Sequence, residues 1–413
     1  MTSMVSNAVT TAAVHDRRTP RVTFVIWQAG RNADGGLQSI SEMMGHAPDI
    51  TPSVVTNLRD GPFTSRWRGR FRNVAVWPMA ESAGTAHRSG AARTLGRIAR
   101  SPMRLANNLR MVIHVLRHRI DIVHCNDRRA FWNAGPGARL AGARVILNVR
   151  DTPPARVRDI GLEWRLLLRL CDVFLVLSQE MVTTWRQVLR SESAKIRYIY
   201  SIVDLDRFSP VDHVARRALR ASAAFAEATF VVVLVANFHP KKRQLEFLRW
   251  VAPEVMAQVP TAALVFLGDF DPSRDPYAAA CRDAAREAGI ADRVRFAGFA
   301  ERVEDWYRLA DVVVVASERE GLPRSIIEGI AAGAVVASVP VCSAREILER
   351  HGCGIVVDDV APAALAAALI GLARDPARGE AMRRQGPGVA RALFDAAVNG
   401  RSYSDLVRMV ARP

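Results

Sequence analysis

Short apolar runs rich in β-branched residues alternate with helix-like stretches along most of the chain. In the first half these runs are Arg21–Trp27, Asp121–Cys125, Arg144–Val149 and Asp172–Ser178. Each run has strand length, and a stretch of helical periodicity follows it. The pattern therefore predicts β-α-β units and a parallel sheet.

The second half repeats this alternation. Its apolar runs are Thr229–Ala236, Ala263–Gly268, Val294–Ala297, Asp311–Ala316, Val335–Ser338 and Gly354–Val357. Between them the periodicity predicts helices near 241–258, 275–289, 302–309, 323–332, 343–351 and 361–373. We therefore expect two Rossmann-like, doubly wound α/β domains that face each other across a cleft. A ligand would lie in that cleft, at the carboxyl ends of the strands.

The domain boundaries follow from this pattern and from local composition. We expect a disordered tail over 1–19, an N-terminal domain over 20–200 and a C-terminal domain over 201–394, with the join near Tyr200–Pro210. Segment 395–413 predicts an amphipathic helix with no strand after it.

Composition excludes several classes of protein. Of the 413 residues 49% are hydrophobic and 24% charged, which is typical of a globular chain and not of a disordered or fibrous one. The five cysteines are scattered and form no CxxC pair, which argues against a disulfide framework or a cysteine zinc site. The longest uncharged runs fall short of the ~18 residues that a membrane span needs. We expect a cytoplasmic protein.

The positive charge is concentrated in the first half. The formal net charge is +16; residues 1–200 hold 30 basic and 14 acidic residues, and the remainder is balanced. Stretch 66–119 carries twelve arginines and one acid, Glu81. Such a field attracts an anionic membrane surface or an anionic acceptor, but a solvated basic face explains it equally well. Nucleic acid is not expected as a partner, because few aromatic side chains are interleaved with the arginines.

Two strand-to-helix corners carry phosphate-binding chemistry. After the first strand, Gly30, Gly35 and Gly36 would let backbone N–H groups approach a phosphate at a helix start. The chain has neither GxGxxG nor GxxxxGK[ST], which argues against a nicotinamide dehydrogenase and a P-loop ATPase. At the matching corner of the second half stand Lys241 and Lys242, two of only three lysines in the chain. An ammonium group there could neutralise a diphosphate leaving group.

The strongest motif is Ser317–Gly329. Pro323 suits a first helical turn, which puts Glu320 in the preceding loop and Glu328 one to two turns inside the helix. The two carboxylates could then reach both ends of a ligand lying over the helix start, where free N–H groups would meet a phosphate. Glu328 lies among isoleucines, where an unpaired charge is costly, so an ordinary surface acid is the weaker interpretation.

With these motifs the sequence resembles the retaining GT-B glycosyltransferases of the glycosyl transferases group 1 type, family 4 (glycogen-synthase-like). That family has a glutamate, seven residues and a second glutamate, here Glu320 and Glu328. The resemblance runs from about Arg21 to the C-terminus and is most specific over 231–358. It implies a nucleotide-sugar donor held mainly by the C-terminal domain, an acceptor held by the N-terminal domain, and a last helix that crosses back to the N-terminal domain.

The resemblance also implies a set of site residues. Glu320 and Lys242 would be catalytic, Glu320 on the donor sugar and Lys242 on the diphosphate, and Glu328 would accept the ribose hydroxyls. The donor-binding candidates are Gly35, Gly36, Asn237, Gly298, Gly321, Leu322, Pro323, Arg324, Ser325 and Glu328.

The chain departs from the family pattern at four places. Asn237 replaces an arginine at the diphosphate site, a loss for which Arg243 or Arg324 would compensate. Arg150-Asp151 replaces His-Asp, so a histidine role is not carried over, although an arginine could hold a phosphate or an anionic acceptor. Arg150, Asp151 and Asn126 are the acceptor-side candidates. The remaining departures are Ser201-Ile202 for Asn-Gly, and Phe270 for a glycine.

The implied reaction transfers a glycosyl group with retention, from a UDP- or GDP-sugar to a glycan or lipid-linked acceptor of a bacterial surface polysaccharide or glycolipid. No cofactor or metal is expected, because the triplets Asp204-Leu-Asp206 and Asp269-Phe-Asp271 arise readily by chance. Segment 66–119 would hold the protein peripherally on the inner face of the cytoplasmic membrane. Two alternatives stay open: a nucleotide-sugar epimerase of GT-B architecture, and a non-catalytic binder of anions or nucleic acid on a degenerate GT-B scaffold.

Overall fold

The computed structural model describes residues 18–28, 35–79, 101–153, 162–189 and 194–411. These residues form two α/β domains, each built around one wholly parallel sheet. The predicted pair of parallel-sheet domains is therefore confirmed. Most of the predicted N-terminal tail lies outside the described residues, and so does Gly30, a candidate glycine of the phosphate-binding corner.

The N-terminal sheet has seven strands in the order β3-β2-β1-β4-β5-β6-β7. They are β1 (Arg21–Ile26), β2 (Thr51–Thr56), β3 (Val74–Val76), β4 (Ile122–Cys125), β5 (Arg144–Asn148), β6 (Val173–Val176) and β7 (Ile196–Tyr198). Helices cover both of its faces: α1 (Gly35–His46), α2 (Pro62–Arg70), α3 (Ser101–His118), α4 (Arg128–Leu140), α5 (Leu162–Leu170) and α6 (Gln179–Leu189).

The C-terminal sheet has six strands in the order β10-β9-β8-β11-β12-β13. They are β8 (Phe230–Val235), β9 (Ala262–Leu267), β10 (Val294–Gly298), β11 (Val312–Val315), β12 (Val335–Ser338) and β13 (Gly354–Val356). The helices of this half are α7 (His213–Ser222), α8 (Gln244–Glu246), α9 (Ala252–Gln258), α10 (Pro276–Glu287), α11 (Val303–Leu309), α12 (Arg324–Ala331), α13 (Pro362–Arg374) and α14 (Pro376–Phe394). Single π-helical turns cover Phe247–Val251 and Arg345–Glu349.

Three strands, β2, β3 and β7, were not expected from the sequence. β2 begins with an exposed threonine and contains Pro52, which weakens its strand pattern. β3 and β7 are three residues long and lie at the two edges of the sheet, where fewer positions are buried. Short edge strands give little periodic signal, so local sequence did not reveal them.

The last helix, α15 (Ala396–Ala411), leaves the C-terminal domain and packs on α1 and β4 of the N-terminal domain. A Cβ on Gly400 would lie 2.0 Å from the His46 carbonyl oxygen, so the two helices approach closely. Tyr403 is fully buried in the N-terminal core, and its hydroxyl is 2.7 Å from Nδ1 of His124. No helix among the described residues is long and apolar enough to cross a membrane.

Candidate functional site

The predicted glutamate motif lies at the carboxyl edge of the C-terminal sheet. β11 ends at Val315, and α12 begins at Arg324 with Pro323 as its N-cap residue in an extended conformation. Glu320 lies in the intervening loop and forms an ion pair with Lys242, whose loop follows β8. The side chains of both residues are less than one-third exposed. The structure thus brings the two predicted catalytic residues together.

Glu328 lies on the second turn of α12 and is buried. Arg324 donates from Nε to Oε1 of Glu328 at 2.7 Å, and the Tyr307 hydroxyl donates to Oε2 at 3.1 Å. Burial, together with the nearby Glu328 carboxylate, raises the pKa of Tyr307 well above its usual value, so the hydroxyl remains a donor. The charge of Glu328 among isoleucines is therefore paired.

Arg324 also connects the two domains. Its Nη1 donates to Oγ of Ser39 on α1 at 3.1 Å and to the Ile202 carbonyl at 3.3 Å. A Cβ on Gly35 would lie 3.0 Å from Cδ of Arg324, so only a glycine allows this approach without displacement. Gly35, which begins α1 together with Gly36, therefore lies beside Arg324 at the start of α12. Gly321 and Leu322 lie in the loop before this helix, and Ser325 lies in its first turn.

The predicted acceptor residues lie across the cleft from this motif. Nζ of Lys241 is 2.9 Å from Oδ1 of Asp151, which forms an ion pair between the domains. Arg150 donates from Nη2 to Oδ1 of Asn126 at 3.0 Å. A Cβ on Gly321 would lie 2.0 Å from the Arg150 carbonyl oxygen, so the two backbones are in contact.

The remaining donor candidates lie farther along the same sheet edge. Asn237 is exposed after β8, and Arg243 nearby donates to the Val360 carbonyl at 3.4 Å. Arg324, one of the two arginines expected to compensate for Asn237, forms an ion pair with Glu328, so its charge already offsets that carboxylate. Gly298 closes β10 with a φ of +70°, which favours glycine, and its carbonyl accepts the Gly268 N–H at 2.9 Å.

A second group of residues at the cleft was missed by the sequence analysis. Glu346 of the C-terminal domain accepts the backbone N–H groups of Gln179 and Glu180, which begin α6, and also the Tyr200 hydroxyl. Ser343 donates from Oγ to the Gly321 carbonyl at 2.7 Å. Its Oγ is also 2.6 Å from Oγ of Ser178 in the N-terminal domain.

These cross-domain contacts carry no motif of their own. Ser343 has a φ of +69°, a left-handed conformation that costs conformational free energy for a serine. The neighbouring residues in the sequence do not predict this conformation. Burial raises the pKa of Glu180, and the neighbouring Glu346 carboxylate adds to the effect. Among the described residues no group of three or more His, Cys, Asp or Glu could hold a metal ion.

Comparisons with known proteins agree with this arrangement. The family model "Glycosyl transferases group 1" matches residues 229–375, and "Glycosyltransferase Family 4" matches residues 50–207. The fold is shared with Anabaena Alr3699/HepE in complex with UDP (TM-score 0.76, 17% identity, 94% of this chain and 100% of that one). It is also shared with WaaG, a glycosyltransferase involved in lipopolysaccharide biosynthesis (TM-score 0.67, 15% identity, 94% and 99%).

Three curated relatives align over shorter or longer parts of the chain. The Mycobacterium tuberculosis (H37Rv) GDP-mannose-dependent alpha-(1-6)-phosphatidylinositol monomannoside mannosyltransferase is 29% identical over 79% of this chain and 87% of its own length. D-inositol 3-phosphate glycosyltransferase 2 of Catenulispora acidiphila is 34% identical over 57% of this chain and 55% of its own length. The putative glycosyltransferase EpsD of Bacillus subtilis is 28% identical, and the alignment spans only 43% of its length.

Two parallel-sheet domains that face each other across a cleft, with the glutamate motif at that cleft, define a GT-B fold. The glutamate motif and the two family models together assign the chain to one family of proteins with this fold. It belongs to the group 1 (family 4) glycosyltransferases.

Proposed function

We propose that the protein is a retaining, metal-independent glycosyltransferase. It would move a glycosyl group from a nucleoside diphosphate sugar to a glycan or lipid-linked acceptor of a surface polysaccharide or glycolipid. The observation that carries the proposal is the grouping of Glu320, Lys242, Arg324 and Glu328 at the start of α12, opposite Gly35. A helix start with adjacent cations suits a diphosphate, and a buried carboxylate suits ribose hydroxyls.

The reaction would proceed by loss of the leaving diphosphate and attack from the same face. The bond between the anomeric carbon and the β-phosphate oxygen breaks, and a bond to the acceptor oxygen forms. The acceptor proton passes to the departing β-phosphate oxygen. Lys242 stabilises the charge that develops on that phosphate, and Glu320 orients the sugar through its hydroxyls. Lys242 and Glu320 form an ion pair with each other, so donor binding would exchange this contact for contacts to phosphate and sugar.

The donor site is tested by thermal shift with UDP, GDP, ADP and their common sugar conjugates. A ligand at a hundred times its Kd stabilises the folded state by about 2.7 kcal/mol, so one nucleotide should raise the Tm clearly. Lys242→Ala and Glu328→Ala should abolish the shift. Lys195→Ala should keep it, because this lysine lies beside β7 and bonds the Leu168 carbonyl. The absence of any shift in the wild type would refute the donor site.

Retention, metal independence and transfer need separate readouts. The product's anomeric configuration, read by NMR, should match that of the donor, and activity should survive EDTA. Conversion of the donor sugar to its epimer without an acceptor would instead support the epimerase. Oligonucleotide binding without nucleotide-sugar binding would support the non-catalytic binder.

We also propose that the protein docks on anionic membranes through α3. Its outward face carries four large apolar side chains at helical spacing: Leu105 (74% exposed), Leu109 (61%), Ile113 (56%) and Leu116 (63%). Exposed arginines at 110 and 117 stand on the same helix. An apolar ridge among cations is typical of a helix lying in a lipid interface. Of the basic stretch 66–119, residues 80–100 lie outside the described chain.

Vesicle flotation tests the docking. Binding should require phosphatidylglycerol in phosphatidylcholine vesicles and weaken as salt is raised. Leu105→Gln with Leu109→Gln should lower binding by more than tenfold, because each leucine contributes roughly 1.5–3 kcal/mol when fully buried. Val214→Gln, at an exposed valine of the C-terminal domain, is the matched control. Binding that ignores both anionic lipid and salt would refute this proposal.

A further inference from the structure

The turn that follows β12 places a serine between the two domains. Ser343 is fully buried and keeps its left-handed φ of +69° although this conformation is unfavourable for a serine. Its Oγ lies 2.7 Å from the Gly321 carbonyl oxygen and 2.6 Å from Oγ of Ser178 in the N-terminal domain. Backbone strain of this kind persists only where the surrounding structure compensates for it.

The hydrogen bonds around Ser343 can be assigned a direction. A hydroxyl has one hydrogen to donate, and its oxygen can also accept. The Gly321 carbonyl can only accept, so it takes the hydrogen of Ser343, and Ser178 donates its own hydrogen to Oγ of Ser343. Oγ of Ser178 in turn accepts the backbone N–H of Met181 at 3.1 Å. A continuous chain of hydrogen bonds therefore runs from the first turn of α6 to the loop that contains Glu320.

Two carboxylates hold the same turn against α6. Glu346 accepts the backbone N–H groups of Gln179 at 3.2 Å and of Glu180 at 2.6 Å. A side chain of the C-terminal domain thus satisfies the free N–H groups at the start of a helix in the N-terminal domain, where a negative charge is favourable. Glu180 in return accepts the Ser343 N–H at 2.9 Å. The position of the turn after β12 therefore depends on the N-terminal domain.

Gly321 is the residue at which this chain of hydrogen bonds reaches the glutamate motif. It directly follows Glu320, whose carboxylate pairs with Lys242. One planar peptide unit joins the two residues, so a fixed Gly321 leaves the Glu320 backbone few positions. We propose that Ser343 is a positioning residue for the transfer reaction. It holds Gly321, and through it Glu320, in place when the N-terminal domain lies against the turn after β12. This inference rests on the proposed transfer reaction.

Ser343→Gly separates the hydrogen bond from the strain. Glycine adopts a φ of +69° readily, so the variant should fold normally while the Gly321 carbonyl loses its donor. With UDP-glucose and GDP-mannose as donors, release of nucleoside diphosphate gives kcat and KM. A small displacement of Glu320 should lower kcat roughly ten- to a hundredfold and change KM by less than about threefold. The thermal shift with UDP or GDP should remain, because Lys242 and Glu328 are unchanged.

Ser338→Ala is the matched control. Ser338 is also fully buried, at the end of β12, but its hydroxyl donates to the Val339 carbonyl at 2.7 Å within the C-terminal domain. That carbonyl keeps the Val341 N–H at 2.7 Å when the hydroxyl is removed. This variant should retain the wild-type kcat, because no hydrogen bond between the domains is lost.

Ser178→Ala interrupts the chain of hydrogen bonds from the other domain. It should lower kcat as well, and the double variant Ser178→Ala/Ser343→Gly should be no slower than Ser343→Gly alone, because residues of one hydrogen-bond network act non-additively. Both single variants are compared well below their Tm, since Ser178→Ala also removes the acceptor of the Met181 N–H.

Three results would overturn the proposal. Wild-type kcat in Ser343→Gly would show that the hydroxyl serves packing alone. Losses that multiply in the double variant would show that the two serines act independently. A loss of UDP and GDP binding in Ser343→Gly would show that the serine supports the nucleotide site and not the position of Glu320. If the wild type turns over neither nucleotide sugar while Ser338→Ala is equally inactive, the result counts against the transferase proposal itself.

Discussion

Gly321→Ala should separate the two domains without disturbing either one. The three atoms nearest to an added Cβ all belong to the N-terminal domain: the Arg150 carbonyl oxygen at 2.0 Å, its carbon at 2.9 Å and Cε of Met181 at 3.0 Å. Ordinary contact begins at 3.4 Å, so the facing backbone must retreat by about 1.4 Å. Gly321 is not among the residues with positive φ, so alanine fits its conformation.

We expect the separation of the domains to lower the rate of the transfer reaction and to leave the folding of each domain unaffected. A displacement of this size would stretch the Lys241–Asp151 pair and the Arg324–Ser39 hydrogen bond, which join the same surfaces. A misplacement of about 1 Å can cost about a hundredfold in rate, so we expect kcat/KM for the donor to fall by that order. The nucleotide thermal shift should remain, because the proposed donor-binding residues are mainly in the C-terminal domain.

Donor turnover, followed as release of nucleoside diphosphate, measures the effect. Gly371→Ala is the matched control: no atom lies within 4 Å of its added Cβ, and the site is inside α13. That variant should keep full activity and gain up to about 1 kcal/mol of stability from helix propensity. Near wild-type turnover in Gly321→Ala would refute the idea that this close contact belongs to the active arrangement.

Three further changes test backbone strain near the site and the buried hydrogen bond under the last helix. Arg243→Gly should raise the free energy of unfolding by about 1 kcal/mol in a urea titration, because Arg243 has a φ of +59°. An unchanged or lower value would contradict this source of strain. Tyr403→Phe should cost about 1–3 kcal/mol in the same assay, since it leaves His124 without its 2.7 Å partner in the core; a neutral result would mean that the hydrogen bond contributes little. Because burial lowers the pKa of His124 to about 3, the unfolded chain binds a proton below about pH 6.5 that the folded chain rejects. Relative to His124→Asn, the wild type should therefore lose about 2 kcal/mol of stability between pH 7 and pH 5, and a pH-independent difference would refute it.

Strand pattern and motif order were enough to predict the architecture. β8 and β11 are continuous apolar runs built largely of buried valines, and only a strand covered on both faces needs such a run. The positions of Glu320 and Glu328 relative to a helix start followed from Pro323 alone. These are local properties, encoded within a few residues of one another.

The partners of the site residues were not predictable in the same way. Tyr307 bonds Glu328, and Ser343 meets Ser178 across the cleft, although the latter two are 165 residues apart in the chain. The first contact depends on how α11 packs on α12 within the C-terminal domain, and the second on how one whole domain is oriented on the other; no local pattern specifies either. The ion pair between Lys241 and Asp151 has the same origin: both residues were singled out, but not as partners.

The return of α15 to the N-terminal domain has a consequence for engineering. The chain passes between the domains twice, once near Ile202 and once between α14 and α15, where the Val203 N–H bonds the Phe394 carbonyl. A chimera meant to exchange donor specificity therefore needs two crossover points, with the final helix kept from the parent that supplies the first domain. A single fusion point would pair Tyr403 and its neighbours with a foreign α1, and a simple truncation before α15 would leave an apolar trough open on the N-terminal domain.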